Sequence, residues 1–321
     1  MSPECPVEYG VPQGTVLGPV LFNIYINDLM LFMESETVVC YADDTVLGFE
    51  DLSWDLVYKK AEKALQLAKF WFDKNQLTLN TQKSYFMCLN INSTNSTNIN
   101  NMRVHDNACN RMPSCKCNLN IKAVPNIKYL GIYFDSQLKW NRHVEYVITK
   151  IRKTYFKFYQ LRQWLPKNLL VNVYISLVES LLGYGIAVWG AACHSTLLNL
   201  IIAQKRVLKI ALSKNKRFST LALFSEAKVL TLRQLYIRSV LRLVICNKYS
   251  VLKIDHNITT RAMSNDLVVT SSTRFSAVQR TLLYTAPKIY NLLPKELKNI
   301  NSGRKNTKIT QWLISNNVTD F

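Results

Sequence analysis

Arginine is missing from the first hundred residues of this chain; the first one is Arg103. Those residues carry six lysines against twelve acidic residues, a net of −6, while residues 101–321 carry 34 basic and nine acidic residues, a net of +25. Glycine and proline are scarce, nine of each in 321 residues, which excludes collagen-like and Gly/Pro-rich disordered classes. Met1–Gly10 has neither a basic start nor an apolar run, so no secretory leader is expected. The eight cysteines mostly stand alone in apolar runs, as buried free thiols of a reducing compartment do. Triplets such as Asn92-Ser93-Thr94 then carry no glycosylation reading. The longest apolar stretch, Leu169–Ala192, is interrupted by Asn172, Glu179 and glycines, and is read as a buried helix rather than a membrane span. What the chain does have is a 48 % hydrophobic content, enough for a real core, and a net charge of +19 that asks for a polyanionic partner, most simply nucleic acid. Its length allows one large domain or two ordinary ones.

Periodicity divides the chain. Residues 15–33 are almost continuously apolar and read as a buried helix with Pro19 in its first turn. Residues 37–49 read as a hairpin, two β-prone runs flanking a two-residue acidic turn, Asp43-Asp44. Val57, Ala61, Ala64, Leu65, Ala68, Trp71 and Phe72 mark an amphipathic helix, and residues 84–91 a strand. Residues 92–120 lose periodicity, with a polar Asn/Ser/Thr tract over Asn92–Asn101 expected to be a loop. Ile127–Phe134 has a strand pattern that includes Gly131. Helices then follow one another: a face of Val144, Val147, Ile148, Ile151, Tyr155 and Phe158, then Pro166–Leu182, Leu197–Leu212, Leu230–Ile245 and about Leu282–Leu292. Residues 250–276 are mixed, and no internal repeat occurs. The change from mixed α/β to all-α falls between Asp135 and Trp140.

The sharpest chemical feature is Tyr41-Ala42-Asp43-Asp44 between two strands. Adjacent carboxylates repel, and a divalent cation removes that penalty. Hard oxygen ligands suit Mg²⁺, and nucleotidyl transfer uses such ions in pairs. An ordinary Asp-rich turn is the plain alternative for a lone pair of aspartates. About 30 residues earlier stands Gly10-Val11-Pro12-Gln13-Gly14, leading into Thr15–Phe22. There, two glycines let backbone approach a ligand, Pro12 stiffens the loop, Gln13 donates and accepts, and the following helix can direct N–H groups at phosphate.

These motifs, in this order, resemble the reverse transcriptases of non-LTR (LINE-type) retrotransposons, especially the jockey-like group. Gly10–Gly14 with Leu17-Gly18-Pro19-Val20-Leu21-Phe22 resembles the template- and nucleotide-contacting palm motif, continued by Asn23, Asn27 and Asp28. Tyr41–Asp44 resembles the catalytic box, Leu77–Ser84 the following Leu-x-x-Asn-x-x-Lys motif, and Tyr129-Leu130-Gly131-Ile132 the primer-grip hairpin. Val178-Glu179-Ser180 through Tyr184-Gly185 and Val188-Trp189-Gly190 resembles the helical segment behind the thumb. Gln279-Arg280, Ala286-Pro287-Lys288 and Asn291–Pro294 resemble the C-terminal tail.

The resemblance implies an α+β fold: a partial polymerase palm of antiparallel strands with helices over 1–135, a helical thumb over 136–249 and a C-terminal helical region over 250–321. It implies primer extension on an RNA template from a DNA primer with deoxynucleoside triphosphates and Mg²⁺ or Mn²⁺. Asp43 is then a direct metal ligand and Asp44 a ligand or near neighbour. Gly10, Pro12, Gln13, Gly14, Tyr41 and Ala42 line the nucleotide and template pocket, and Tyr129, Leu130 and Gly131 place the primer end. Lys83 contacts the triphosphate or protonates pyrophosphate, unless it is an ordinary solvated lysine. A nuclear location follows from the resemblance alone. One departure stands out. The family's third carboxylate lies on a strand well before the Gly-rich loop, whereas only Glu4 and Glu8 precede Gly10 here. The chain therefore looks like a C-terminal fragment, expected to polymerise little or nothing alone. The rival readings are a non-catalytic nucleic-acid-binding remnant and an unstable product without function.

Weaker signals remain. His105, Cys109, Cys115 and Cys117 lack the Cys-x2-Cys knuckle of a zinc site, so zinc is not expected. Lys205, Arg206 and Lys209 open a basic tract running to Arg217 that suits phosphates, with a solvated helix face as the alternative. Tyr155, Phe156, Phe158 and Tyr159 offer rings for base stacking, some of them core by their helical spacing.

Overall fold

The computed structural model describes residues 10–11, 14–33, 37–90, 101–105, 109, 119–246, 268–269, 272–298 and 302–316. They form two compact units. The first runs to Pro125 and the second starts at Asn126, with Leu89 and Asn90 counted in the second.

In the first unit, α1 (Gly18–Phe32) carries proline at its start, where the missing N–H costs nothing. Strands β1 (Thr37–Tyr41) and β2 (Asp44–Gly48) pair antiparallel, Val39 opposite Val46 and Tyr41 opposite Asp44. Helix α2 (Trp54–Lys74) is capped by Ser53, whose Oγ accepts from Leu56 N–H, and Asp55 and Lys74 complement the dipole at its two ends. Strands β3 (Tyr85–Phe86), β4 (Asn101–Val104) and β5 (Leu119–Ala123) form a sheet of order β3-β5-β4, the first pair parallel and the second antiparallel. Ala64, Ala68 and Trp71 of α2 pack on Ile26, Leu29 and Met33, and Val38, Cys40, Leu47 and Phe49 of the hairpin region close this core. Tyr58 and Ala61 form a second, smaller core with Met102.

Three expectations are corrected here. Helix α1 is not buried: Ile26 and Leu29 are covered, while Leu21, Ile24, Tyr25 and Leu31 are exposed, Ile24 by 68 %. The helix is apolar nearly all round, and α2 covers only one stripe of it. The aperiodic stretch hides two strands. In β4 Met102 and Val104 point inward and Asn101 and Arg103 outward, a period-two signal too short to stand out beside a polar tract. The strand read over 84–91 shortens to Tyr85–Phe86.

The second unit opens with the antiparallel hairpin β6 (Asn126–Tyr129) and β7 (Ile132–Asp135). Helices α3 (Asn141–Leu161) and α4 (Lys167–Tyr174) follow. A π turn (Ile175–Glu179) leads into α5 (Ser180–Gly183) and α6 (Ile186–Trp189). Next come α7 (His194–Ala211), α8 (Thr220–Ala227) and α9 (Leu232–Ile245). A 3₁₀ turn (Val278–Arg280), α10 (Leu282–Asn291), α11 (Lys295–Lys298) and α12 (Ser302–Ser315) complete the order. One core gathers Phe158, Tyr174, Trp189, Leu200, Leu208 and Tyr236, all essentially inaccessible. Within it Gln204 is fully satisfied: Nε2 donates to Tyr174 Oη at 2.9 Å and Leu230 O at 3.0 Å, and Oε1 accepts from Leu232 N–H at 3.1 Å.

The stretch Leu169–Ala192 is not one helix. A π turn interrupts it, Tyr184 is extended (φ −66°, ψ 116°), and Gly185 turns the chain at φ +58°. No helix among the described residues is long and apolar enough to cross a membrane. The division between the units falls at Asn126, earlier in the chain than the composition change after Asp135. The reason is packing. Ile132 lies in the helical core, Tyr133 meets Tyr146 edge-on at 5.1 Å, and Phe134 meets Trp140 at 5.3 Å. Asp135 then caps the following loop, its Oδ1 accepting from Gln137 and Lys139 N–H and its Oδ2 from Trp140 N–H.

Candidate active site and nucleic-acid interface

In the first unit the acidic motif stands at the tip of the β1–β2 hairpin. The turn residues are Ala42 and Asp43, and Asp44 is already the first residue of β2, facing Tyr41. The expected Asp43-Asp44 turn is therefore displaced by one residue. Ala42 takes φ +51°, a left-handed conformation that costs an L-residue roughly 1–2 kcal/mol. Such strain is tolerated where the position matters, as at many active sites. Both aspartates are exposed. Tyr41, Val39 and Val46 form an open face beside them, while Val38, Cys40 and Leu47 anchor the other face on the core. No group of three His, Cys, Asp or Glu side chains able to hold a metal occurs among the described residues. Two carboxylates fall short of the donor set a pair of ions requires, so no chemical step is routed through a metal here.

Gly10 and Gly14 both adopt left-handed φ, +82° and +87°, and a Cβ built on either meets nothing within 4 Å. Glycine is demanded there by backbone conformation rather than by close packing. Pro12 and Gln13 lie outside the described residues. Thr15 Oγ1 accepts from Gly18 N–H at 3.2 Å and so starts α1. The Leu77–Ser84 motif is a turn organised by Asn80, whose Oδ1 accepts from Lys83 N–H and whose O accepts from Ser84 Oγ. Lys83 is exposed.

In the second unit the β6–β7 turn is built from Leu130 (φ +44°) and Gly131 (φ +81°). Tyr184 clamps it: its hydroxyl donates to Leu130 O at 2.6 Å, and a Cβ at Gly131 would stand 3.3 Å from the Tyr184 ring. Tyr184→Phe is expected to lower stability by about 1 kcal/mol, the worth of an ordinary hydrogen bond, as read from urea unfolding. An unchanged midpoint would show that the clamp does not hold the turn.

Residues 3–134, which include the acidic hairpin, the Gly-rich loop and the clamped turn, match the family described as reverse transcriptase (RNA-dependent DNA polymerase). This segment is a reverse transcriptase domain. Its relatives are polymerases of non-LTR retrotransposons. The chain is 28 % identical over 222 residues to the RNA-directed DNA polymerase from mobile element jockey of Drosophila melanogaster, covering 64 % of this chain and 22 % of that protein. It is 25 % identical over 225 residues to the probable RNA-directed DNA polymerase from transposon X-element of the same organism, covering 65 % and 22 %. To that from transposon BS, also of that organism, it is 24 % identical over 213 residues, covering 62 % and 22 %. The chain thus spans about a fifth of the length of these curated relatives. No solved structure matches it.

Where the reverse transcriptase domain ends in β7, it meets a cluster of cations and rings that sequence reasoning missed. Lys128 Nζ lies 5.7 Å from the Tyr133 ring and 5.8 Å from the Tyr146 ring. Arg142 lies 5.8 Å from Tyr133, and Lys150 Nζ 4.5 Å from Tyr146. The hydrogen bond from Lys150 chiefly, and then the charges of Lys150 and Lys128, hold the Tyr146 phenol below its ordinary pKa. The signal was present in the sequence: Arg142, Tyr146, Lys150, Lys153 and Lys157 recur every three or four residues on one exposed or half-exposed stripe of α3.

The basic tract named in the sequence is divided in its uses. Arg206 is exposed and stacks on Tyr155 at 5.1 Å. Lys205 is half-exposed. Lys209 Nζ donates to Lys216 O at 2.6 Å, and Lys214 pairs with Glu226 at 2.6 Å, so both tie down the loop after α7. Of the four rings, Phe158 is fully buried, Phe156 is 68 % exposed, Tyr159 is exposed beside Arg162, and Tyr155 is half-buried with its hydroxyl donating to Ala203 O. His105 Nδ1 and Cys109 Sγ approach to 3.7 Å, while Cys115 and Cys117 lie outside the described residues.

Proposed function

We propose that this chain supplies part of the palm and the strand-gripping helices of an RNA-directed DNA polymerase of a non-LTR retrotransposon. The substrates are an RNA template, a DNA primer and deoxynucleoside triphosphates, and the ions are Mg²⁺ or Mn²⁺. The observation that carries this reading is the Asp43–Asp44 pair at the tip of a strained strand hairpin inside the matched segment. Asp43 would hold metal in the intact polymerase, with Asp44 a second ligand or its neighbour and a further donor completing the set. Gly10, Pro12, Gln13, Gly14, Tyr41 and Ala42 serve nucleotide and template, Lys83 serves the triphosphate, and Tyr129, Leu130 and Gly131 serve the primer end. Lys205, Arg206 and Lys209 contribute to phosphate binding, Arg206 with the freest head. In this reading residues 136–249 act as thumb and 250–321 as tail.

Two measurements test it. The first is template-dependent incorporation with Mg²⁺ or Mn²⁺, expected to be little or nothing for this chain alone; any incorporation it shows falls to background in Asp43→Asn, and activity kept in that variant would remove Asp43 from the site. The second is the salt dependence of binding to an RNA–DNA hybrid. Lys128, Arg142, Lys150, Lys153 and Lys157 together predict a log–log slope of about −4.5, and Lys153→Ala a slope shallower by about 1. A slope near zero would exclude the α3 stripe as the interface.

A non-catalytic nucleic-acid-binding role is favoured by one observation, the lack of a third carboxylate beside the pair among the described residues. It predicts the same salt slope with no incorporation under any ion.

A further inference from the structure

Between the starts of α3 and α7 and the 3₁₀ turn lies a cavity of about 460 Å³, lined by Lys139, Asn141, Cys193, Ser195, Thr196 and Arg280. It lies within the second unit. The lining chemistry is one-sided. Two cations from distant parts of the chain are brought to one cavity, two hydroxyls and an amide accompany them, and no carboxylate lines it. Like charges gathered without a counterion raise the energy of the fold unless an anion occupies the space between them. Asn141 is also held in place, its Oδ1 accepting from Thr196 Oγ1 at 3.1 Å, which leaves its NH₂ group to donate. Cys193 precedes α7 without a side-chain cap, and the first turn of that 18-residue helix has no acidic residue, so its backbone donors add to the same field. The volume is in the range of small-ligand pockets.

We infer that this cavity binds a phosphate group of a nucleotide or nucleic-acid strand, held by Lys139 and Arg280 with Ser195 and the Asn141 amide as donors and Thr196 orienting that amide. A guanidinium and an ammonium on one anion combine a planar fork with a point charge, the usual pairing for phosphate oxygens. The site is independent of polymerisation: it would serve a binding-only chain equally well.

Cys193 gives a direct readout, since a thiol on the cavity wall is shielded when the cavity is filled. The full chain is alkylated with iodoacetamide at fixed ionic strength in sodium chloride, and the rates at Cys193 and at exposed Cys246 are read by peptide mass spectrometry. Uridine 5′-monophosphate and a 5′-hydroxyl oligouridylate are the two probes. Protection of Cys193 but not Cys246 by the monophosphate identifies a free phosphate monoester as ligand. Protection by the oligonucleotide alone identifies a backbone phosphodiester. Protection by neither overturns the inference. Lys139→Ala, at an exposed position, and Arg280→Ala should each raise the half-protecting concentration about tenfold. Protection unchanged in the double variant would also overturn it. Anisotropy of labelled hybrid on the same samples keeps the two readings apart. Hybrid binding without Cys193 protection removes the cavity site only, and protection without hybrid binding removes only the α3 interface.

Discussion

Arg238→Ala is expected to destabilise the helical unit by about 3 kcal/mol, the low end of the cost of stranding one member of a buried ion pair, because Arg238 itself is half-exposed. Glu179 is 8 % exposed and receives a hydrogen bond from Arg238 Nη2 at 2.9 Å. Burial already pushes the Glu179 carboxyl above its ordinary pKa, and the charge and hydrogen bond of Arg238 pull against it. Without the guanidinium the carboxyl rises further and escapes its charge by taking a proton. The sign of the pH effect follows. A folded-state pKa above the unfolded one means that the native state binds more protons, so native stability rises as pH falls toward the carboxylate range. The deficit of Arg238→Ala should therefore shrink in acid. Glu179→Gln combined with Arg238→Ala should recover much of the loss at neutral pH, because no isolated charge remains. Urea unfolding of the parent chain and the two variants decides the matter, and a single-variant loss below about 1 kcal/mol would place the pair among exposed bridges of little worth.

Acidification is expected to cost the same unit about 3 kcal/mol through His143. That imidazole is 2 % exposed between Tyr146 and Trp189, its ring 5.2 Å from the indole. Nδ1 accepts from Tyr133 N–H at 3.4 Å, and Nε2 is buried with no hydrogen-bond partner among the described residues. A charge there would be neither solvated nor paired, and burial lowers the pKa from 6.5 to about 4. Between those values the unfolded chain binds a proton that the folded chain refuses. Stability is full above pH 6.5, falls through that window, and levels off below about 4. The Glu179 carboxyl has the opposite sign in part of this range, so the contribution of His143 is isolated by comparison with His143→Gln. That variant keeps an acceptor for Tyr133 N–H without the titration. A stability difference between the two proteins that does not change with pH would remove His143 as the source.

The sequence was most legible where one face of an element meets one core. Helices α2 and α3 stand where their apolar stripes put them, because Ala61, Ala64 and Ala68, and Val144, Val147 and Ile151, really do face inward. It was least legible where burial depends on what lies nearby. The apolar run over residues 15–33 says that α1 could be buried all round, and nothing in it says that α2 covers only Ile26 and Leu29. The acidic turn was misplaced by one residue because Asp43 and Asp44 are both good turn formers, whereas left-handed Ala42 is not a residue a turn rule selects. β4 failed to register for want of length. In the candidate site, the hairpin that carries the aspartates and the left-handed turns at Gly10 and Gly14 were legible through residue type. The Tyr184 clamp was not, since its partner Leu130 lies 54 residues away, and Lys128 and Tyr133 join the α3 stripe only through the packing of the hairpin on that helix.

The π turn at Ile175–Glu179 has a consequence for comparing this chain with others. Such a turn holds one residue more than the regular helix, and each added residue rotates everything after it by about 100°. Tyr174 before it and Leu182 after it are both fully buried, so the two halves of this segment keep inward faces that follow different phases of the helical wheel. A relative lacking the turn would have one residue fewer here, and a gapless alignment would set its inward positions against this chain's outward ones. Identity through the segment would then be scored too low, and the counterpart of Glu179 would be sought one place away from where it stands.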